Sequence, residues 1–319
     1  MKEVYSKIIS TGAYLPEKCI TNKDLEKTLQ TSDEWIQKRV GIKQRFIADE
    51  SQNLSDLAAF SVKNALEKTN LSANDLDAII VATFTPDNPM PASAVMVQKK
   101  IGMSSGYAMD VNAACSGFIY ALHVADGLIK SKKSKRIAVV GADIFSRAVD
   151  WNDRNTAVLF GDGAGCAIIE SSDTPGILST HVFSDGNFYN HLYAERETKD
   201  KNQYAKTIMM GSEVMKYATD KIGEAVINAL SKNNLSEKDI DWFIPHQANK
   251  RIIESVSRRF KIPIEKFIIT IDSHANTSAA SIPLALNDAF FNKKIKSGHK
   301  VILESMGAGF TWGSALIQF

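Results

Sequence analysis

Short, almost wholly apolar runs alternate along the chain with longer stretches that are apolar only every third or fourth residue. Ser6–Ser10, Asp77–Thr83, Tyr107–Val111 and the run Ile137-Ala-Val-Val read as buried strands. Three more follow: one from Trp242 ending at His246, one from Phe267 ending at His274, Ala275 and Asn276, and one from Val301 ending in the turn Gly307-Ala-Gly309. Helical spacing appears over Leu54–Lys68 and over Ser116–Leu128, where Phe118, Leu122, Ala125 and Leu128 fall on one face. The helix after His246 turns Ile252, Val256 and Phe260 inward and sets Arg251 and Arg258 on one outer face. Thr21-Asn-Lys-Asp24 and Thr31-Ser-Asp-Glu34 have capping-box spacing. The second box opens a short helix that Gly41 caps, and on it Trp35 and Arg39 share a face. Taken alone, that pair is a core tryptophan and a solvated arginine.

The pattern repeats. Ala65–Asp77 and Ala229–Asp241 stand 229 − 65 = 164 residues apart, share eight of 13 residues, and each runs straight into an apolar strand. Ile137-Ala-Val-Val and Val301-Ile-Leu keep the same offset, while Asp110–Ser116 and Asp272–Ser278 pair at 162. A repeat this long is a duplicated domain rather than a solenoid unit. Each half alternates strand and helix, so each is expected to build a mainly parallel sheet with helices on its faces, an α/β protein dividing into 1–172 and 173–319.

Duplication gives the candidate chemistry its geometry, because sites in open α/β sheets gather at the carboxyl ends of strands. The first half places Cys115 between a strand and a helix, among the small residues Ala113, Ala114, Ser116 and Gly117. A helix N-terminus there favours a thiolate and lowers the thiol pKa. The second half supplies His246 and Asn276 at comparable strand ends, and the Gly307–Gly309 turn brings backbone N–H groups close. Singly, Cys115 reads equally as a nucleophile or an inert buried thiol, His246 as a hydrogen-bonded core residue and Asn276 as a helix N-cap, but together the three favour a site. Composition narrows the partners. A net charge of +2 gives no bulk attraction to nucleic acid or membrane, and no apolar run approaches a membrane span. Cys19, Cys115 and Cys166 lack the spacing of a zinc site or a disulfide framework, which points to a reducing cytoplasm and no bound metal.

Asp110-Val-Asn-Ala-Ala-Cys-Ser-Gly-Phe118, Pro245-His-Gln-Ala-Asn249, Asn276-Thr-Ser-Ala-Ala-Ser281 and Gly309-Phe-Thr-Trp-Gly-Ser-Ala315 together resemble the motifs of β-ketoacyl-acyl-carrier-protein synthase III. Thr31–Ile36, Gly161–Gly165 and the C-terminal Trp312–Phe319 extend the likeness over essentially the whole chain. The resemblance implies the thiolase-like fold, two similar halves in five αβαβα layers around two central sheets, usually as a homodimer. It assigns Cys115 as nucleophile, with His246 and Asn276 as the other catalytic residues and the backbone N–H groups of Cys115 and Ala308 as the oxyanion hole.

The implied reaction is a decarboxylative condensation of a short acyl-coenzyme A with malonyl-acyl-carrier protein, through an acyl-Cys115 intermediate. No permanent cofactor is implied, since coenzyme A enters as a thioester substrate. By the same resemblance Trp35, Arg39, Arg154 and Asn249 bind coenzyme A, and Met90 reaches the acyl pocket of the partner subunit. Lys216, Lys250, Arg251, Arg258 and Arg259 would dock an acidic carrier protein. Ala275 and Ala308 depart from the pattern, standing where relatives carry glycine. A thiolase would need a second cysteine near Met306-Gly-Ala-Gly309, and the elongating condensing enzymes use two histidines. A polyketide-type condensing enzyme and a non-catalytic acyl or coenzyme A binding protein of the same fold are the alternatives.

Overall fold

The structure, a computed structural model, describes residues 3–194 and 206–319. In chain order the first sheet and its helices are β1 (Tyr5–Tyr14), α1 (Asp33–Val40), α2 (Leu54–Leu66), β2 (Ala78–Ala82), α3 (Ser93–Ile101), β3 (Tyr107–Val111), α4 (Gly117–Lys130), β4 (Arg136–Ile144) and β5 (Asp162–Ser172). The second set is β6 (Ile177–Ser184), α5 (Gly211–Lys232), β7 (Trp242–Pro245), α6 (Lys250–Phe260), α7 (Ser281–Phe291), β8 (Lys300–Gly307) and β9 (Thr311–Gln318).

The first sheet has the order β1-β5-β4-β2-β3 and the second β7-β8-β9-β6. Both are mixed, but parallel pairing does not dominate as the alternation of elements suggests. β2 pairs in parallel with β3 and β4, and β7 with β8, whereas β1/β5, β4/β5, β8/β9 and β6/β9 are antiparallel. Connection length is the reason. Only the turn 308–310 separates β8 from β9, too short for the crossover that a parallel pair requires.

Side-chain alternation on the strands sorts the layers. Ile79 and Val81 of β2 face α2 and α3, where Leu57, Val62 and Val97 cover them. Ile80 and Ala82 face the other way, onto Phe118 and Leu122 of α4 and Ile282 and Leu286 of α7. Those two helices also cover Ile244 and Leu303 of the second sheet. Beyond that sheet, Ile222 and Val226 of α5 and Ile253 and Val256 of α6 close the last layer. The result is the αβαβα stack of a thiolase-like fold. A strand buried on both faces needs no polar alternation, which is why β2 and β4 read as continuous apolar runs. Phe118, Ile119, Leu122 and Ile129 of α4 are wholly buried, each contributing roughly 1.5–3 kcal/mol.

Elements recur at one constant offset. The turn Ala73–Asp75 answers Glu237–Asp239, β2 answers β7, Ala114–Ser116 answers Ser278–Ala280, and β4 answers β8, each 164 residues on (237 − 73, 242 − 78, 278 − 114, 300 − 136). The pairing of Asp110–Ser116 with Asp272–Ser278 at 162 is therefore two residues out of register. Cys115 answers Ala279, not Thr277.

Two local expectations also change. The cap of α1 is Ser32, whose extended backbone lets its Oγ accept from Trp35 N, rather than Thr31. The strand expected from Phe267 reduces to a single bridge with Phe243, followed by the one-turn helix Ile271–His274. Gln247 explains this. Its Oε1 accepts from Thr270 N and Ile271 N (2.9 and 3.0 Å) and its Nε2 donates to Ile268 O, replacing the ladder.

Candidate active site

Cys115 lies on the short turn Ala114–Ser116 that leads into α4. Hydrogen bonds from the second half hold that turn. Ser305 Oγ donates to Cys115 O (2.9 Å), Ser116 Oγ donates to Thr311 O (2.9 Å), and Thr311 Oγ1 donates to Ala113 O (3.0 Å). Gly307 must be a glycine here, since a Cβ on it would sit 2.8 Å from Cys115 N. The first half's cysteine turn is thus clasped by the β8–β9 hairpin of the second.

Asn276 is fixed across the same seam. Its N–H donates to Leu159 O and its C=O accepts from Gly161 N, both at 3.0 Å. Its Oδ1 accepts from Ser278 N (2.9 Å), which commits the oxygen and leaves the NH2 as the free donor. His246 follows β7, and its N–H donates to Glu304 O at 2.8 Å. Burial pushes the His246 imidazole down to about 3, so the ring is neutral and carries a single N–H. Its Nδ1 has no partner. The neighbouring Glu304 carboxyl is also unpartnered, and burial pushes it up to about 8.

These three side chains line one cavity of about 1800 Å³. Trp35, Arg39, Asn249, Arg251 and Ala308 line it too. A recess of about 410 Å³ at its mouth is formed by Trp35, Lys38, Arg39 and Arg251. Ile36 and Val40 make the buried face of α1, so Trp35 is a half-buried mouth residue rather than a core one. Arg154 does not line the cavity, but its Cζ lies 4.8 Å from the Trp35 ring centroid, in cation–π contact. Asn249 caps α6, its Oδ1 accepting from Arg251 N.

Other candidates lie apart from the cavity. Lys216, Lys250, Arg258 and Arg259 are exposed around α5 and α6, with Arg259 paired to Asp220 and Lys216 near Glu213. Met90 is 83 % exposed and does not line this cavity. Among the described residues no group of three His, Cys, Asp or Glu side chains is arranged to hold a metal ion.

The thiol itself differs from expectation. Burial pushes Cys115 up to about 12, against a lowering hydrogen bond from Ser278. Enclosure outweighs the helix terminus, so Cys115 rests as a thiol rather than the thiolate expected. Sequence reading missed Ser278, whose Oγ lies 3.6 Å from Cys115 Sγ, and the buried Asp143 behind it. It also missed strain. Ala114, Ala275 and Ser278 all have left-handed φ (46°, 61° and 52°), each within two residues of Cys115 or Asn276. Ala275, at ψ −165°, occupies a region that glycine alone adopts without cost, so its methyl strains the segment leading to Asn276.

Known proteins resemble this chain over nearly its whole length. Residues 109–186 match the family model "3-Oxoacyl-[acyl-carrier-protein (ACP)] synthase III", and residues 230–319 match its C-terminal counterpart. The β-ketoacyl-[acyl-carrier-protein] synthase III of Wolbachia pipientis wMel is 52% identical over 98% of both chains. The chain belongs to the β-ketoacyl-acyl-carrier-protein synthase III family. The Paramagnetospirillum magneticum member is 49% identical over 99% of each chain. The crystal structure of the Aquifex aeolicus synthase III superposes with a TM-score of 0.94 at 43% identity, covering 98% of this chain and 100% of that one. Synthase III enzymes are condensing acyltransferases of fatty acid biosynthesis, and this chain is one of them. No helix among its described residues is long and apolar enough to cross a membrane.

Proposed function

We propose that this synthase III joins a short acyl group from acyl-coenzyme A to malonyl-acyl-carrier protein, using Cys115, His246 and Asn276 in turn. The observation carrying this reading is that one cavity is lined by a thiol from the first half and by an imidazole and a carboxamide from the second. Cys115 Sγ bonds to the acyl carbonyl, the bond to the coenzyme A sulfur breaks, and the thiol proton ends on that sulfur. The N–H groups of Cys115 and Ala308 face the oxyanion. Malonyl-carrier protein then loses carbon dioxide, and the electron pair passes into an enolate. The neutral His246 and the Asn276 NH2 each donate a hydrogen bond to its oxygen. The enolate carbon attacks the acyl-Cys115 carbonyl, and Cys115 leaves and regains a proton. No permanent cofactor takes part.

Coenzyme A fits the mouth. The Trp35–Arg154 pair offers an aromatic face with a cation, while Arg39 and Arg251 offer forked guanidinium groups for phosphates. An acidic carrier fits the exposed outer face of α6. A homodimer is supported by the exposure of Met90 and by the edge strand β3, whose outer backbone edge a second copy would cover. The three free cysteines suit a cytoplasmic location, and the halves divide after β5, at 172/173.

Incubation with acetyl-coenzyme A and malonyl-carrier protein, followed by mass spectrometry of the carrier, should show an acetoacetyl product. Its absence with every short acyl donor would overturn the reading. Acyl length is limited by three cavity-lining rings. Phe145 stacks on Phe160 at 3.7 Å and meets Phe84 edge-on at 4.7 Å. Acetyl transfer should therefore exceed hexanoyl transfer by about four orders of magnitude or more, at roughly tenfold or more for each of the four added methylenes. Phe84→Ala, which removes the half-buried outer ring, should narrow that ratio at least about tenfold. An unchanged ratio would remove the rings from the acyl site.

Carrier docking is separable from coenzyme A binding. Arg258→Glu should raise KM for malonyl-carrier protein several-fold, roughly 0.5–1 kcal/mol for a rim charge, and leave KM for acetyl-coenzyme A unchanged. Arg251→Glu, at the shared mouth, should raise both. Equal KM values for wild type and Arg258→Glu would place the carrier elsewhere.

A further inference from the structure

We propose that Ser278 is a catalytic residue, its hydroxyl acting as the hydrogen-bond partner that orients Cys115 Sγ and stabilises the sulfur as it gives up its proton, with Asp143 as the positioning residue behind it. This rests on the acyl-transfer reading of the same site.

Ser278 Oγ donates to Cys115 Sγ at 3.6 Å, and the Asp143 carboxyl stands behind it, its Oδ2 accepting from the adjoining Ala279 N. With the thiol intact this is a weak contact to a neutral sulfur. As the proton leaves for the departing coenzyme A sulfur, the same hydroxyl donates to a sulfur of growing negative charge, and the bond strengthens. No proton is gained or lost by Ser278 or Asp143 over the transfer. The electron pair that forms the new sulfur–carbon bond is held in place by that hydrogen bond while the bond to coenzyme A breaks.

Asp143 is built to hold the segment that carries this hydroxyl. It is wholly buried at the end of β4. Its Oδ1 accepts from Thr83 Oγ1 (2.8 Å), Phe84 N (2.9 Å), Thr85 Oγ1 (3.0 Å) and Thr85 N (3.3 Å). Its Oδ2 accepts from Ala279 N, one residue from Ser278, at 3.2 Å. The carboxylate is thus fixed by the first half and reaches into the second. Ser278 is pinned from the other side as well, since its N–H donates to Asn276 Oδ1. Its backbone is left-handed (φ 52°), a conformation that disfavours serine, so the position retains a hydroxyl at a conformational cost. The titratable groups facing this cluster are Asp143 from β4 and the neutral His246 after β7, with Glu304 on β8 beside the Ser305 that bonds Cys115 O.

The test separates the hydroxyl from the backbone and from turnover. Ser278→Ala and Ser278→Gly both remove the oxygen, and glycine also relieves the left-handed strain. Alkylation of Cys115 by iodoacetamide, followed peptide by peptide, needs no acyl donor. Both variants should alkylate about tenfold more slowly near pH 8, with the rise in rate displaced about one pH unit upward. Both should also lower kcat for acetyl transfer on the order of tenfold or more, with KM for acetyl-coenzyme A unchanged. Wild-type alkylation profiles in both variants, or a glycine variant that regains what alanine loses, would overturn the proposal. A wild-type protein that takes no acetyl group, yet shows the Ser278 dependence in alkylation, overturns acyl transfer and leaves the hydrogen-bond assignment standing.

Discussion

Cys115→Ala should leave a folded protein that takes up no acyl group from acetyl-coenzyme A, whereas the wild type gains one acetyl mass on the peptide carrying Cys115. Condensation should fall by about four orders of magnitude or more, because nothing else in the cavity can hold the acyl group between the two substrates. The other cysteines serve as internal controls. Cys19 is exposed and lies outside the cavity, and Cys166 is fully buried in β5 with burial raising its thiol. An acyl adduct persisting in the alanine variant, on Cys19 for example, would mark the wild-type label as non-specific and remove Cys115 from the mechanism. Stability should change little, since the turn carrying Cys115 is held by hydrogen bonds to Ser305 and Thr311 that do not involve the sulfur.

His246→Ala and Asn276→Ala should fail at the other half-reaction. Both should still acquire an acetyl group, but release of carbon dioxide from malonyl-carrier protein should fall roughly 10²–10³-fold in each, the usual cost of losing one oxyanion donor. The two donors differ chemically. Asn276→Asp keeps the shape and the contact with Ser278 N but replaces the NH2 with an acceptor, and it should be at least as poor as alanine. His246 adds a pH signature. Its imidazole is held down to about 3, so it is neutral, with its N–H in place, at every pH above that value. Decarboxylation by acyl-enzyme should therefore show no His246 inflection between about pH 5 and 8, where a histidine of ordinary pKa titrates near 6.5. Full decarboxylation in either alanine variant, or an inflection near 6.5 that vanishes with His246, would contradict the neutral-donor role.

Much of this was legible in the chain because the fold is built twice. A shared segment ahead of two apolar strands announces the duplication, and the constant offset carries it through turns and helices. Cys115, His246 and Asn276 stand out because cysteine, histidine and asparagine among small residues at strand ends invite a chemical reading. Ser278 and Asp143 carry no such mark. A serine in Asn-Thr-Ser-Ala and an aspartate ending an apolar strand are ordinary until the halves meet. The region after Phe267 misled for a related reason. Its β-branched residues favour a strand, but Gln247, twenty or so positions earlier, takes over the backbone groups a ladder would use. The thiol misled because helix-terminus electrostatics can be read from local sequence, whereas enclosure depends on the whole fold.

The clasp of the C-terminal hairpin on the cysteine turn has a consequence for synthesis. Ser278, Ser305 and Thr311 reach back across 163, 190 and 198 residues to grip Cys115, its carbonyl and Ala113. Contacts so distant along the polymer are among the slowest to form, and a ribosome must release the chain past Thr311 before they can. Until then the nascent chain carries its sulfur on an unfinished loop, and the cavity around it is completed only when β9 arrives.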